Sequence, residues 1–524
     1  MRPQGGTADA AARAHALWEG VFCVLAAACV FPLLYVRYPP IQDLPQHLAA
    51  VRVLHDFRDP GLGFAAFYEL DLWRTQYLAY YLAAHLLSYV VGVEPACKLL
   101  IAASLIATPY AARSLLQALG KDGRLALLTL PLAYNAHLVL GFLNFIAAIP
   151  LSLYAVALAV RQRRQHTLAR AVGLAILAIV CFYTHVVPFA LLVLGVGLVA
   201  LGRDLRSTGR ALLPLVPSAL AALLWLRHSP AGNATLDAAR GDADGPTPYH
   251  QPYAIALQET PRWLTDVLRD GTGRDLLLGW TLLIGLLLLL AAVGLALRWK
   301  RAEPPPAMPD LLARSLARRL ALLPPLCAAL YFLLPSSYDW IWPINARFPL
   351  LALIFMIIVL PGPRGPLRLG LLSAVSLVAA LSFAEIATAF RKFEREEVGE
   401  LEQALAAIPP GQKVAGLVWQ RSSRYVKFSP FIHAVAWYQA KKGGAVMFTF
   451  ADFPQSPFKF RSSNRPPRVP ARWEWEPARV DPLRELEWFD YVLTRGDPGR
   501  IAQHTYIYEP VFQGPLWAVW KRRR

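Results

Sequence analysis

Residues 276–297 read LLLGWTLLIGLLLLLAAVGLAL, a run without a single charged side chain. A helix of that length crosses the roughly 30 Å hydrocarbon core of a bilayer, and no soluble domain of ordinary size can hide it. Further apolar stretches recur along the 524-residue chain, which is 56% hydrophobic and only 17% charged. The sequence therefore specifies an α-helical polytopic membrane protein.

The net charge of +18 raises the question of nucleic acid. Much of that charge sits in short loops between apolar segments, where basic residues mark the cytoplasmic side, and no motif interleaves basic with aromatic residues. Acidic lipid headgroups are the more natural partner. The five cysteines, Cys23, Cys29, Cys97, Cys181 and Cys327, all fall in apolar segments without metal-ligand spacing.

Basic loops orient the chain. "RQRRQHTLAR" (161–170), "GRDLRSTGR" (202–210), residues 298–319, "PRGPLR" (363–368) and, with less weight, "GKDGR" (120–124) are expected in the cytoplasm. They delimit about 11 spans, at 17–36, 96–118, 125–140, 145–160, 171–184, 188–202, 211–226, 276–297, 320–336, 347–361 and 369–390. A cytoplasmic N-terminus then leaves the C-terminus outside. Residues 76–93 carry four tyrosines (Tyr77, Tyr80, Tyr81, Tyr89) and read as an interfacial or re-entrant segment.

Outer loops are expected at 37–75 and 227–275, closing a membrane domain over 1–390. Residues 391–524 read as a small extracytoplasmic α/β domain. "KVAGLVW", "AVMFTF", "DYVLTR" and "LWAVW" look strand-like, while "EREEVGELEQALAAI" and "HAVAWYQAKKGG" look helical.

Chemistry concentrates just after the first span, in "RYPPIQDLPQHLAAVRVLHDF" from Arg37. Asp43 and His47 stand at i, i+4 and share a face if a helix begins there. Arg52, His55 and Arg58 extend its polar side and Leu48, Val51, Leu54 and Phe57 its apolar side, as in a helix lying along the membrane surface. Two roles are open to Asp43. As a base at a partly dehydrated interface it would take a proton from a hydroxyl. As the N-cap of "DLPQ", with Pro45 in the first turn and Gln46 three residues on, it would accept backbone N–H bonds instead.

Glu69 with Asp71, and Asp242 with Asp244, are spaced like pairs that can hold a divalent cation, a pattern also frequent by chance in polar loops. His137, Asn144 and His185 fall in turns between short spans, at depths where polar groups are costly. Asp339 and Arg347 lie in "SSYDWIWPINARFP" among interfacial aromatics. Arg74 closes the aromatic stretch "FYELDLWR".

Together these residues resemble the glycosyltransferase-C superfamily of polytopic enzymes that use polyprenyl-phosphate sugar donors. In that superfamily a long outer loop after the first span bears the catalytic Asp, a place held here by Asp43 in "QDLPQHL". "LPLAYNAHLVLGFLNF", "FYTHVVPF", "FDYVLTRGDP" and "LWAVWKRRR" also resemble segments of a group of bacterial membrane proteins. The resemblance implies a glycosyltransferase of the inner (plasma) membrane, working at its outer face. Its partners would be the bilayer, a polyprenyl-phosphate-linked sugar and a glycan, lipid or protein acceptor, with no nucleic acid. Asp43 and His47 would be catalytic. Arg52, Glu69, Asp71, Arg74, His137, Asn144, His185, Asp339 and Arg347 would be donor- or substrate-binding candidates. The DxD metal motif of some branches is missing from the first loop, where only "ELD" at Glu69–Asp71 stands, so the resemblance implies no metal ligand set and no certain cofactor. A transporter or lipid flippase, or an envelope-assembly scaffold, is the alternative reading of paired, interrupted helices.

Overall fold

A computed structural model describes residues 5–202, 204–240, 247–298, 308–338, 341–361, 365–497 and 499–523. Seven helices among them are long and apolar enough to cross a membrane: Ala16–Leu34, Val93–Ala118, Leu143–Arg164, Leu205–His228, Thr272–Leu290, Leu311–Leu333 and Leu367–Val398. Shorter apolar helices at Leu78–Val91, Gly123–Leu132, Leu168–Thr184, Val186–Ala200 and Arg347–Met356 fill the bundle between them. The chain is a multi-pass membrane protein.

The elements that build the site are, in chain order, α1 (Leu44–His55), α2 (Ala136–Leu140), α3 (Leu143–Arg164), α4 (Arg347–Met356), α5 (Gly365–Phe393) and α6 (Val435–Lys442). The expected continuous span over 125–140 is broken. A 3₁₀ segment, Gly123–Leu132, gives way at Pro131, whose ring cannot continue a helical ladder. Asn135 then starts α2 by accepting hydrogen bonds from the backbone N–H groups of His137 (3.0 Å) and Leu138 (3.2 Å). The Leu78–Val91 helix is 14 residues long, about 21 Å, which is too short to span alone.

The largest departure concerns α1. Rather than lying at a membrane surface with one wet face, it is buried nearly throughout, Gln46 and His47 included. Membrane helices pack against one side, and α6 of the C-terminal domain covers the other. An amphipathic pattern predicts a single apolar face. It does not reveal that a second layer meets the polar one and satisfies it.

The C-terminal domain and the first loop joined to it contain strands β1 (Tyr68–Leu70), β2 (Lys413–Val418), β3 (Ala445–Val446), β4 (Phe458–Phe460), β5 (Tyr491–Arg495), β6 (Tyr508–Gln513) and β7 (Trp517–Arg522). Five of them form a mixed sheet in the order β3-β2-β5-β7-β6, with β2 parallel to β3 and β5, and β7 antiparallel to β5 and β6. Strand β6 escapes the alternation pattern because it holds Pro510 and a bulge, which only an edge strand tolerates. β1, from the first loop, pairs antiparallel with β4 and so ties that loop to the domain. Helix α5 runs straight into the domain through a π turn at Glu394–Val398. Glu394 accepts from the backbone N–H of Tyr38 (2.9 Å), just past the first span. Trp517 donates to the carbonyl of Val398 (2.8 Å), and the Arg495 guanidinium lies 3.6 Å over the Phe431 ring.

Candidate active site

Every polar residue of "QDLPQH" reaches across to a different segment. Gln42 accepts from the Ser429 backbone N–H (3.1 Å). Gln46 donates to the Phe448 carbonyl (2.7 Å) and accepts from the Phe450 N–H (3.2 Å). The two glutamines therefore clamp the C-terminal domain onto the start of α1. Phe428 and Phe448, beside these clamps, both have positive φ (69° and 54°), a strained backbone that gathers at functional sites.

Asp43 occupies the N-cap position of α1, but its side chain makes no capping hydrogen bond. Its backbone is fixed instead. The N–H groups of Gln42 and Asp43 donate to the carbonyls of Val139 (2.8 Å) and Leu140 (3.1 Å) at the end of α2. The next residue, Gly141, has φ of 92°, and a Cβ there would lie 2.7 Å from both the backbone N and the Cβ of Asp43. Only glycine lets the two segments meet this closely.

The carboxylate turns to the C-terminal domain. Asp43 Oδ1 lies 3.0 Å from His433 Nδ1, an ion-pair approach off the ideal hydrogen-bond line. His433 Nε2 lies 3.2 Å from Glu474 Oε1. All three side chains are at most 16% exposed, so the ring is held between two carboxylates in a largely dry setting. Burial alone would strip the ring of its proton. The Glu474 and Asp43 carboxylates, which attract the protonated ring from either side, outweigh burial and raise His433 to about 10. Burial raises Glu474 as well, against the pull of His433. The ring is an imidazolium at neutral pH.

This arrangement makes domain docking pH-dependent. The groups facing His433 are Asp43, Glu474 and, more distantly, His47. The ring's value is raised from 6.5 to about 10, so its stabilisation is complete below about 6.5 and is lost as pH rises through about 10. The raised carboxyl of Glu474 acts in the same sense. Thermal unfolding of the C-terminal domain, followed by tryptophan fluorescence, is expected to shift to lower temperature from pH 7 to 10. His433→Gln should flatten that dependence, and a wild-type midpoint constant over this range would contradict the assignment.

His47 is placed differently. Its Nε2 lies 2.9 Å from the Gly141 carbonyl, and its Nδ1 lies 3.0 Å from the Tyr81 hydroxyl. Burial pushes it down to about 4, against the Asp43 charge, so the ring is neutral, donating to Gly141 and accepting from Tyr81. Both nitrogens are engaged, and His47 secures the Gly141 turn on which Asp43 rests.

Arg347, the first residue of α4, lies on the other flank of that turn. It is buried, its guanidinium 5.2 Å from the ring centre of Phe142, the residue after Gly141. Its Nε has no hydrogen-bond partner, and among the described residues it forms no ion pair. Around it His137 Nε2 lies 3.0 Å from the Ala346 carbonyl, and Asn144 keeps a buried Oδ1 without a partner. His185 accepts from the Val187 N–H (3.1 Å) and stacks on Tyr77 at 5.2 Å. Arg74 likewise has Nε and Nη1 buried and unpartnered. A buried guanidinium without a carboxylate is costly unless an anion completes it.

Three other candidates are occupied elsewhere. Arg52 pairs with Asp56 on its own helix (2.9 Å). Glu69 and Asp71 both pair with Lys459 (3.0 and 3.4 Å), across the β1–β4 ladder that joins loop to domain. Asp339, Asp242 and Asp244 lie outside the described residues. Among the described residues no group of three or more His, Cys, Asp or Glu gathers as metal ligands.

Sequence reasoning missed His433 and Glu474. The only local signal was a lone histidine ahead of "AVAWYQ" and an acid in "RWEWEP". Glu474 also lines a cavity of about 560 Å³ in the C-terminal domain, with Phe448, Asp452, Arg465 and Arg468.

No family model matches the sequence, and no curated protein matches it. Solved structures do. ArnT from Cupriavidus metallidurans in the apo state aligns with a TM-score of 0.50 at 13% identity, covering 97% of this chain and 98% of that one. A structure of the same protein bound to undecaprenyl phosphate aligns with a TM-score of 0.49 at 12% identity, covering 96% and 97%. At such identity the likeness concerns fold alone. In its fold the chain is an ArnT-like polytopic membrane protein carrying a small C-terminal sheet domain.

Proposed function

We propose that the chain is a membrane glycosyltransferase that moves a sugar from a polyprenyl-phosphate donor to an acceptor hydroxyl, with Asp43 as base. The observation that carries this reading is the pairing of two features across one turn. On one flank of Gly141-Phe142 stands a carboxylate excused from capping; on the other stands a buried arginine that forms no ion pair among the described residues. The contacts of the Asp43 carboxylate run to Oδ1, which leaves Oδ2 for a substrate hydroxyl.

As the acceptor oxygen attacks the anomeric carbon, its proton passes to Asp43 Oδ2. The bond from that carbon to the phosphate oxygen breaks, and the electron pair stays on the phosphate. Arg347 offsets the charge that builds on the leaving phosphate, in a setting dry enough for the attraction to count. Arg74, in the first loop, adds a guanidinium whose Nε and Nη1 have no hydrogen-bond partner among the described residues. The His433–Glu474 pair aims the Asp43 carboxylate. The basic loops, read as cytoplasmic, support a site and a C-terminal domain at the outer face of a bacterial inner membrane. ArnT, the protein whose apo structure shares this fold, has also been solved bound to undecaprenyl phosphate, a lipid of the proposed donor class.

A deletion strain should accumulate a polyprenyl-phosphate-linked sugar, read by mass spectrometry of its lipids. Normal lipids with altered solute uptake would favour a transporter instead. Arg347→Gln should weaken binding of undecaprenyl phosphate to the protein in nanodiscs by about 10- to 100-fold, the worth of a charge-assisted contact. Unchanged affinity would remove Arg347 from the donor site.

A further inference from the structure

We propose that the cavity of the C-terminal domain is a saccharide site, and that the sugar bound there is the acceptor. This deepens the reading above and rests on it for the identity of the reacting group. The cavity's volume, about 560 Å³, falls within the range of small-ligand sites. Glu474 in its wall lies 3.2 Å from His433, which lies 3.0 Å from Asp43, so the cavity stands one imidazole away from the proposed base.

Its chemistry narrows the occupant. Thr449 is only 1% exposed, lines the cavity, and has a hydroxyl with no hydrogen-bond partner. A buried hydroxyl in that condition is costly until a ligand meets it. The Asp452 side chain, 37% exposed, lines the cavity, and burial raises its carboxyl to about 6. Arg465, 41% exposed, approaches Asp452 only to 3.8 Å.

Two acids and two arginines (Asp452, Glu474, Arg465, Arg468) share the lining. The arginines oppose a cation, and the carboxylates oppose an anion. Four charged groups also exclude a purely apolar lipid tail, because filling the cavity with hydrocarbon would desolvate all of them. A neutral ligand bearing many hydroxyls satisfies each group, since hydroxyls donate to carboxylates and accept from guanidinium and threonine. Phe448, the prolines of the 466–470 stretch and Val469 offer flat apolar walls for the C–H faces of a sugar ring.

The test uses the full-length protein in nanodiscs, a panel of methyl glycosides and short linear oligosaccharides, and saturation-transfer NMR. At least one saccharide should receive saturation from the wild type. Ala471→Trp, at the exposed rim, should abolish the transfer by filling the entrance. Thr449→Val should weaken affinity three- to tenfold, the loss of about one hydrogen bond. Undecaprenyl phosphate binding, measured on the same samples, should stay unchanged and so reports that both variants are folded. The proposal is overturned if no saccharide of the panel binds, or if transfer survives Ala471→Trp. Saccharide binding by a wild type that does not take undecaprenyl phosphate would remove the donor reading while leaving the saccharide site standing.

Discussion

Asp43→Asn is expected to fold, to insert in the membrane and to lose sugar transfer by about two to four orders of magnitude, the usual worth of a general base. Asn caps a helix nearly as well as Asp, so a residue that served only as a cap would tolerate the change. The side chain makes no capping bond to α1, which removes even that cost. What the amide lacks is the ability to take a proton and the charge that pairs with His433 at 3.0 Å. Asp43→Ala should be equally inactive. In both variants His433 keeps Glu474, so the ring is not left as an unpaired buried cation, and the loss of stability should be modest. The measurement is complementation of the deletion strain, with protein level checked in the same membranes. An active Asn variant at wild-type abundance would eliminate Asp43 as the base.

Gly141→Ala should cost about 100-fold or more in transfer while Asp43 itself is unaltered. The position holds φ of 92°, where a non-glycine residue is strained by about 1–3 kcal/mol. The new methyl would also fall 2.7 Å from the Asp43 backbone N, so the base or the α2 turn must shift. Displacement of a catalytic group by about 1 Å is enough for a loss of that size. Gly63→Ala is the matched control. It too is left-handed (φ 69°, ψ 11°), but the nearest atom to a Cβ there is 3.8 Å away, an ordinary contact, so it carries the backbone strain without the collision. Equal losses in the two variants would mean that strain, rather than the fit against Asp43, explains Gly141.

Much of the membrane architecture was legible from the chain. Long uncharged runs favour helices in lipid, because a helix satisfies its own backbone there, and apolar helices occupy the expected ranges apart from the broken 125–140. Strands β2, β5 and β7 and helix α6 were legible for the same local reason, an apolar pattern bounded by turn residues. Strand β6, with its proline and bulge, was not. Nor was the break before α2, where Pro131 and Asn135 sit within an otherwise uniform apolar run.

The site divides along the same line. From "QDLPQH" the sequence by itself determined that a carboxylate stands at a helix start just past the first span, because those facts depend on neighbours a few residues apart. It left cap and base as open alternatives, since an Asp in that place can serve as either. Only the tertiary structure decided where the carboxylate points, because its partner His433 comes from a domain some 390 residues further on. The same holds for the glycine that admits Asp43, for the arginine on the far flank of the turn that forms no ion pair among the described residues, and for the cavity behind Glu474. Local pattern fixes which groups a segment offers; which of them are satisfied, and by what, is settled when distant segments pack.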